Sequence, residues 1–230
     1  IEANPRGSRT LPFLSKANDL SLPSIATDAM LGETIKEWDR ENSNHFCVKQ
    51  STFPFDRFIQ DNIILGPKMR STGETLGIDQ DKDHAILKSY LGNYPNLNEV
   101  GKIMLSLADQ SKKEVLPYLK ALTKMGYKFM ATKGTYDYIR KQGLQCELVS
   151  KLTEDTKNIV TALKDSEIKM VFNTPLNKGT SKSDGELIRN TAIAYGIACF
   201  TQTENIKAVM ECLIGTNDQD MSPTSLQELH

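Results

Sequence analysis

The chain has 230 residues, of which 39% are hydrophobic and 25% charged, and its formal net charge is −1. A chain of this size can bury one or two cores of ordinary volume. The balanced charge supplies no basic stripe for nucleic acid, and no apolar run approaches the ~20 residues that span a bilayer. Composition therefore argues against nucleic acid and membranes as partners.

The cysteines are scattered along the chain and form no C-x-x-C pair; they are Cys47, Cys146, Cys199 and Cys212. Metal sites and redox centres usually need closely spaced thiols or neighbouring histidines. The pattern favours reduced, structural thiols in a cytoplasmic protein over a metal or redox site.

Residues 1–9 combine oxygen ligands with cations. Glu2 and Asn4 are two residues apart, so on a strand they share one face, where they can hold a hard cation. Arg6 and Arg9 can reach phosphate oxygens. From residue types alone, an edge strand with solvated side chains is an equally good interpretation. If the site is real, we expect its other half to lie upstream, in a larger enzyme.

The first half of the chain shows few regular elements. Ser21 is suited to cap a helix whose apolar residues share one face, and Gly32 is suited to end that helix. We also predict strands over 48–55 and 63–65, a helix over 80–91 that ends at Gly92, and a linker over 92–96.

The second half alternates short apolar runs with segments of helix length. The predicted strands cover residues 103–108, 128–131, 146–152, 170–173 and 198–201. Such alternation predicts a parallel sheet with helices on both faces. A capping-box pattern from Ser111 to Glu114 predicts the start of the first of these helices, and Gly126 and Gly143 are suited to end two of them.

Ligands of open parallel sheets bind beyond the carboxyl ends of the strands. The polar residues predicted at those ends are Lys112, Thr132, Thr135, Lys151, Asn173 and Thr174. Two cations, three hydroxyls and an amide suit a phosphate monoester with the hydroxyls of a sugar, so we expect a nucleoside monophosphate. Each residue alone is equally typical of a helix cap or a solvated surface, and the prediction depends on their convergence.

Two long motifs carry a family resemblance. Residues 2–17 read EANPRGSRTLPFLSKA and residues 65–74 read LGPKMRSTGE. Both resemble the end of the second ATP-grasp domain in the large subunit of carbamoyl-phosphate synthase, and the resemblance continues to residue 230.

The resemblance implies an α/β fold in three parts. Residues 1–78 would be the α+β tail of the ATP-grasp domain, and residues 79–97 a connector. Residues 98–230 would form a doubly wound, parallel, five-stranded sheet like that of methylglyoxal synthase.

The family makes carbamoyl phosphate from bicarbonate, ammonia released from glutamine, and two ATP, for pyrimidine and arginine biosynthesis. By resemblance, Glu2 bridges magnesium or manganese ions on ATP, and Asn4 is a further ligand. Arg6 and Arg9 would contact the transferring phosphoryl group or its acceptor. Because the adenine and glycine-rich parts are missing, the chain alone is expected to be inactive.

The resemblance also implies partners and effectors. The partners would be a glutaminase small subunit and the remainder of the large subunit, within an oligomer. Bacterial members bind UMP as inhibitor and IMP as activator, and that pattern falls on the six strand-end residues named above.

Three positions depart from the family pattern. Pro175 replaces a threonine of the effector site, which removes a hydroxyl and a backbone donor. Gln50 and Cys199 replace an acid and a tyrosine of the ornithine site found in some members. We therefore expect weak or absent activation by ornithine.

Two other interpretations stay open. A free-standing methylglyoxal synthase would share the fold, but the loop over 175–179 does not resemble its catalytic aspartate loop, and the first hundred residues would be unexplained. An oligomerisation module built on residues 79–96 is the second alternative.

Overall fold

The computed structural model describes residues 5–35, 44–54, 69–149, 159–164, 167–175 and 184–216, with 221 and 225. The chain forms two compact units. The first comprises Ile1–Thr52, Ser71–Asn93 and Thr216–His230, and the second comprises Phe53–Arg70 and Tyr94–Gly215. Within the described ranges, no helix is both long enough and apolar enough to cross a membrane.

The first unit contains α1 (Thr10–Ala17), α2 (Leu22–Met30), β1 (Phe46–Thr52), β2 (Gly73–Asp79) and α3 (Lys82–Leu91). Strands β1 and β2 pair antiparallel, with Phe46 opposite Asp79. Helix α3 packs on both strands. It begins where the Asp81 carboxylate accepts hydrogen bonds from the backbone N–H groups of Asp83 and His84, at 2.8 and 3.0 Å. This N-cap satisfies two of the free donors at the helix start.

The sequence predicted part of the first unit. Helix α2 follows Ser21 as predicted, and Gly32 has the positive φ of +89° that ends such a helix. Strand β1 is shifted towards the N-terminus of the predicted range. The prediction missed β2, because glycine and polar residues hide its alternation. The predicted strand over 63–65 lies outside the described residues.

The second unit alternates strands and helices. In chain order they are β3 (Lys102–Ser106), α4 (Asp109–Lys124), β4 (Lys128–Thr132), α5 (Lys133–Lys141), β5 (Glu147–Val149), α6 (Ile159–Leu163), β6 (Ile168–Asn173), α7 (Asp184–Ala194), β7 (Ala198–Phe200) and α8 (Thr203–Gly215). All strand pairs are parallel, in the order β5-β4-β3-β6-β7. The predicted α/β class with a five-stranded parallel sheet is confirmed.

Both faces of the central strand β3 are covered. Met104 belongs to an apolar cluster with Leu163 of α6 and Ile188 of α7. Ile103 and Leu105 point to the opposite face, because side chains alternate along a strand. All three are fully buried, and each such burial stabilises the fold by about 1.5–3 kcal/mol. Burial on both faces explains why the strands read as continuous apolar runs.

The capping box predicted at Ser111 is wrong. The N-cap residue is Ala108, three residues before Ser111, and helix α4 begins at Asp109. Ser111 lies buried inside the first turn, and its Oγ is 2.8 Å from Oγ1 of Thr203. Strand β3 correspondingly ends at Ser106 instead of Ala108, because the chain has already turned towards the helix.

Candidate anion-binding site

The strand order places a topological switch point between β3 and β6. The chain proceeds from β3 outward through β4 to β5, and then returns to the other side of β3 with β6 and β7. Connections on the two sides of such a point diverge and leave a crevice at the carboxyl ends of the strands. The carboxyl ends of β4, β3 and β6 are adjacent, so the polar residues after these strands share one edge.

Lys112 is a largely buried cation at this edge. It lies in α4, and only 9% of its side chain is exposed. Its Nζ is 2.6 Å from Oδ1 of Asp109, and 3.7 Å from the position that a Cβ on Gly134 would occupy. Gly134 is the second residue of α5, so the ammonium group lies beside the first turn of that helix.

The N-terminus of α5 has no side-chain capping hydrogen bond from its N-cap residue. Thr132 occupies this N-cap position. The free N–H groups of a first turn carry a partial positive charge, close to half an elementary charge in sum. Together with a largely buried ammonium, they form an arrangement that favours an anion.

Asp109 supplies the negative charge that Lys112 contacts in this structure. Its side chain is 93% exposed even though it forms this ion pair. The hydrogen bond from the Lys112 ammonium and its charge lower the pKa of the Asp109 carboxyl. Asp109 is therefore ionised at neutral pH. The sequence analysis did not select this residue, although its spacing of three from Lys112 on one helix was a usable signal.

Thr135 and Thr174 brace the loop that joins β3 to α4. Oγ1 of Thr135 accepts a hydrogen bond from the backbone N–H of Leu107 at 2.9 Å. Oγ1 of Thr174 accepts one from the N–H of Ala108 at 2.7 Å. Both threonines are at least 90% buried. The Thr135 hydroxyl also donates a long hydrogen bond of 3.4 Å to the carbonyl of Leu107. The Thr174 hydroxyl can still donate one hydrogen bond, because a hydroxyl carries one donor beside its acceptor sites.

Thr132 is the most accessible of the three predicted threonines. It is half-buried, and its Oγ1 is 3.3 Å from Oγ of Ser106, a long hydrogen bond between the ends of β4 and β3. These two hydroxyls therefore remain available to a ligand at the edge.

Asn173 is buried at the end of β6, with 1% of its surface exposed. Its Oδ1 accepts a hydrogen bond from Nη1 of Arg189 at 2.7 Å. Arg189, on α7, is 5% exposed, and burial lowers the pKa of its guanidinium. Its Nε is buried without a hydrogen-bond partner among the described residues. Sequence analysis missed Arg189, although an arginine beside the buried Ile188 was a signal.

The N-terminal residues are placed in the first unit. Arg6 is exposed, and its Nη1 makes a weak contact with the carbonyl of Gly7 at 3.3 Å. Arg9 donates from Nη1 to the carbonyl of Ser71 at 3.1 Å and from Nη2 to its Oγ at 2.8 Å. Ser71 belongs to the second motif, so the described ends of the two motifs meet here.

Three predicted site residues lie outside the described ranges; they are Glu2, Asn4 and Lys151. Within the described part of the chain, no group of three or more His, Cys, Asp or Glu residues is arranged to hold a metal ion. The metal ligands and the six effector residues stay predictions.

Comparison with known proteins identifies part of the second unit. The MGS-like domain family matches residues 114–201. These residues form an MGS-like domain. The match covers the chain from the interior of α4 to the end of β7, so the Asn173–Arg189 pair lies inside the MGS-like domain, and Lys112 lies two residues before the matched range.

Relatives extend the similarity to the whole chain. The chain is 36% identical over 231 residues to a "Carbamoyl phosphate synthase large chain" from Nostoc sp., and 35% identical over 230 residues to one from Rhodopirellula baltica. In each case 99% of the chain and 21% of the relative are covered. The motif-based resemblance to this family is thereby confirmed.

A third relative is itself a shorter protein. The chain is 33% identical over 238 residues to a "Carbamoyl phosphate synthase large chain, C-terminal section" from Methanopyrus kandleri. The alignment covers 100% of the chain and 44% of that relative. The chain, including its MGS-like domain, thus spans less than half the length of each of these relatives.

Proposed function

We propose that the chain works as part of a carbamoyl phosphate synthase large chain, with the MGS-like domain as its nucleotide sensor. Relatives of that name match 99–100% of the chain, including the first hundred residues. A free-standing methylglyoxal synthase would leave those residues unexplained.

One observation carries the sensor function. The largely buried Lys112 ammonium lies beside the first turn of α5, where Thr132 makes no capping bond. A terminal phosphate can receive a charge-assisted hydrogen bond from Lys112 and backbone hydrogen bonds from α5. Hydroxyls of Ser106 and Thr132 border the same place. The ligand class is a nucleoside monophosphate, such as UMP or IMP.

The rest of the ligand would lie towards β6. The Thr174 hydroxyl keeps one donor, the Thr135 donor makes only a long bond to the Leu107 carbonyl that a ligand could replace, and Lys151 would add a second positive charge. Pro175 offers no backbone N–H, so fewer donors face the ligand on that side. We infer that two features determine the affinity: the positive charge of the lysines, and the backbone N–H groups of the first turn of α5, which orient the phosphate.

The proposed role in catalysis belongs to the first unit. Glu2 and Asn4 would hold Mg²⁺ or Mn²⁺, because carboxylate and amide oxygens are the hard ligands that these ions prefer. Bound Mg²⁺ supplies charge neutralisation on the ATP phosphates. Arg6 and Arg9 would orient the transferring phosphoryl group or its acceptor, carbamate. The Ser71 hydrogen bonds of Arg9 hold its guanidinium in a defined position for this role.

The complete enzyme would use bicarbonate, glutamine-derived ammonia and two ATP in the cytoplasm, for pyrimidine and arginine biosynthesis. It would need the remainder of the large chain and a glutaminase subunit. The chain by itself should form no carbamoyl phosphate from ATP, bicarbonate and ammonia. In a complete large chain, Arg9→Ala should lower kcat and leave UMP binding unchanged.

Calorimetric titration of UMP, and separately of IMP, into the chain tests the sensor function. We expect saturable one-to-one binding of at least one nucleotide. Lys112→Ala should weaken it by about 10-fold or more, because a hydrogen bond to a charged group contributes about 1.5–3 kcal/mol. Lys128→Ala removes the same charge from an exposed residue at the amino end of β4 and should change nothing. Absence of binding up to millimolar nucleotide would contradict the proposal.

A further inference from the structure

The pair formed by Asp109 and Lys112 joins two residues with opposite environments. Lys112 is 9% exposed and lies against α5, whereas Asp109 is 93% exposed at the first position of α4. Their charged atoms are 2.6 Å apart. The Asp109 carboxylate therefore forms an ion pair with the same ammonium group that the proposed phosphate site depends on.

We propose that Asp109 is an affinity-determining residue, whose carboxylate occupies Lys112 in the free chain and is displaced by the phosphate of the ligand. The inference rests on the proposed nucleotide site. In the free chain the Asp109 carboxylate competes for Lys112. The phosphate of the ligand must therefore replace this carboxylate when it binds.

The surroundings of the two residues make this exchange feasible. Asp109 buries little surface, so its side chain can rotate into solvent without loss of packing. The Lys112 side chain is largely buried, so turning its ammonium into solvent would disrupt packing. An ion pair with such an exposed partner is weak, because water and salt screen it. A phosphate dianion also gains the N–H groups of α5, which Asp109 does not contact among the described residues.

Electrostatic repulsion disfavours simultaneous binding of the Asp109 carboxylate and a ligand phosphate to the Lys112 ammonium. A carboxylate within hydrogen-bond distance of Lys112 would lie only a few ångströms from phosphate oxygens on the same Nζ, and like charges repel at that range. Binding therefore includes the loss of one ion pair, and any anion with a single charge gains little from the exchange. The arrangement favours a terminal phosphate monoester over a carboxylate or a phosphodiester.

Asp109→Asn tests the inference, because asparagine keeps the shape and removes the charge. Asp137→Asn is a matched control: Asp137 forms an ion pair with Lys133 at 2.7 Å on an exposed helix surface. UMP and IMP are titrated into the chain and its variants by calorimetry. We expect Asp109→Asn to bind about 3- to 10-fold more tightly than wild type, and Asp137→Asn to change affinity by less than about 2-fold.

A double variant shows whether the effect passes through Lys112. In a Lys112→Met background, Asp109→Asn should give no gain, because the competition has been removed. A gain of equal size there would mean a general field effect and would overturn the inference.

The remaining outcomes separate the inference from the proposed function. Saturable binding to wild type with equal or weaker binding to Asp109→Asn would overturn the inference alone, since Asp109 would then be neutral or a ligand contact. Binding seen only with Asp109→Asn would support it strongly. Absence of binding to both proteins at millimolar nucleotide would overturn the proposed function, and the inference with it.

Discussion

Arg189 donates a hydrogen bond from Nη1 to Oδ1 of Asn173 at 2.7 Å and so joins the second turn of α7 to the end of β6. Both side chains are at least 95% buried. A buried guanidinium is costly unless hydrogen bonds compensate it. Among the described residues, Arg189 donates its side-chain hydrogen bond to this amide. Asn173 therefore stabilises the fold in addition to its predicted role in ligand binding.

Replacing Asn173 with Ala should therefore destabilise the second unit by about 1.5–3 kcal/mol, because it leaves the buried guanidinium without this hydrogen bond. The double variant Asn173→Ala/Arg189→Met should recover at least about 1 kcal/mol of that loss, because it removes the buried charge together with its partner. Urea unfolding of the single and double variants measures the coupling. Strictly additive effects would show that the two side chains do not stabilise each other.

Gly77 allows α3 to lie directly on β2. A Cβ at this position would be 1.9 Å from the carbonyl oxygen of Ala85 and 2.6 Å from the N of Ser89. Both are backbone atoms, so the helix would have to move. We expect Gly77→Ala to destabilise the first unit by about 3 kcal/mol or more.

Gly73 is the control on the same strand, because its Cβ would meet Thr52 at an ordinary 3.7 Å. Gly73→Ala should destabilise the unit by less than about 1 kcal/mol. Thermal unfolding that ranks the two variants equally would contradict this account of the packing.

The hydroxyl of Thr135 should matter more to stability than that of Thr132. Thr135→Val keeps the shape but leaves the buried N–H of Leu107 without its acceptor, which should cost about 1–3 kcal/mol. Thr132→Val removes only the long contact to Ser106 and should cost less than about 1 kcal/mol. Denaturant midpoints measure both, and a reversed order would argue against the bracing role of Thr135.

Asp79 should make the stability of the first unit dependent on pH. Its Oδ2 is 2.6 Å from Nζ of Lys88, and its Oδ1 accepts from the N–H of Asp81 at 2.9 Å. Burial by itself would raise the pKa of Asp79, but these hydrogen bonds and the nearby charges outweigh it, and the pKa is lowered from 3.8. Because the folded pKa is the lower one, the stabilisation is fully present above pH 3.8 and is lost as the pH falls through the folded pKa.

Asp79→Asn should accordingly destabilise the unit by about 1.5–3 kcal/mol at pH 7, and the difference from wild type should vanish in strong acid. Unfolding measured across that range checks both statements. Asp137→Asn, at an exposed ion pair, should change stability at pH 7 by less than about 1 kcal/mol. A wild-type advantage that persists at the lowest pH would mean that packing, and not charge, explains the effect.

The alternation of strands and helices was predictable because parallel strands buried on both faces are continuous apolar runs, as at Ile103–Leu105. Strand β2 was not predictable in this way. It depends on antiparallel pairing with β1 and on the close approach of α3 at Gly77, which are tertiary effects. The helix start at Asp109 was missed because the Ser111 pattern fitted a capping box that the fold does not use.

For the candidate site, the chain order of strands indicated which residues follow strand ends, and the structure does place Lys112, Thr132, Thr135, Asn173 and Thr174 at one edge. It did not indicate their partners. Thr174 reaches Ala108 across 66 residues, and Asn173 meets an arginine 16 residues later. No local pattern encodes such contacts, because they exist only when separate strands are brought side by side.

The amino-acid sequence by itself determined the family resemblance and the α/β class, since motifs and apolar periodicity are local properties of a chain. The tertiary structure alone decided that Thr135 and Thr174 brace a loop, that Arg189 holds Asn173, and that Asp109 occupies Lys112. These relationships depend on distances of about 3 Å between groups that only the folded sheet brings together, and on the burial that makes each of those hydrogen bonds matter.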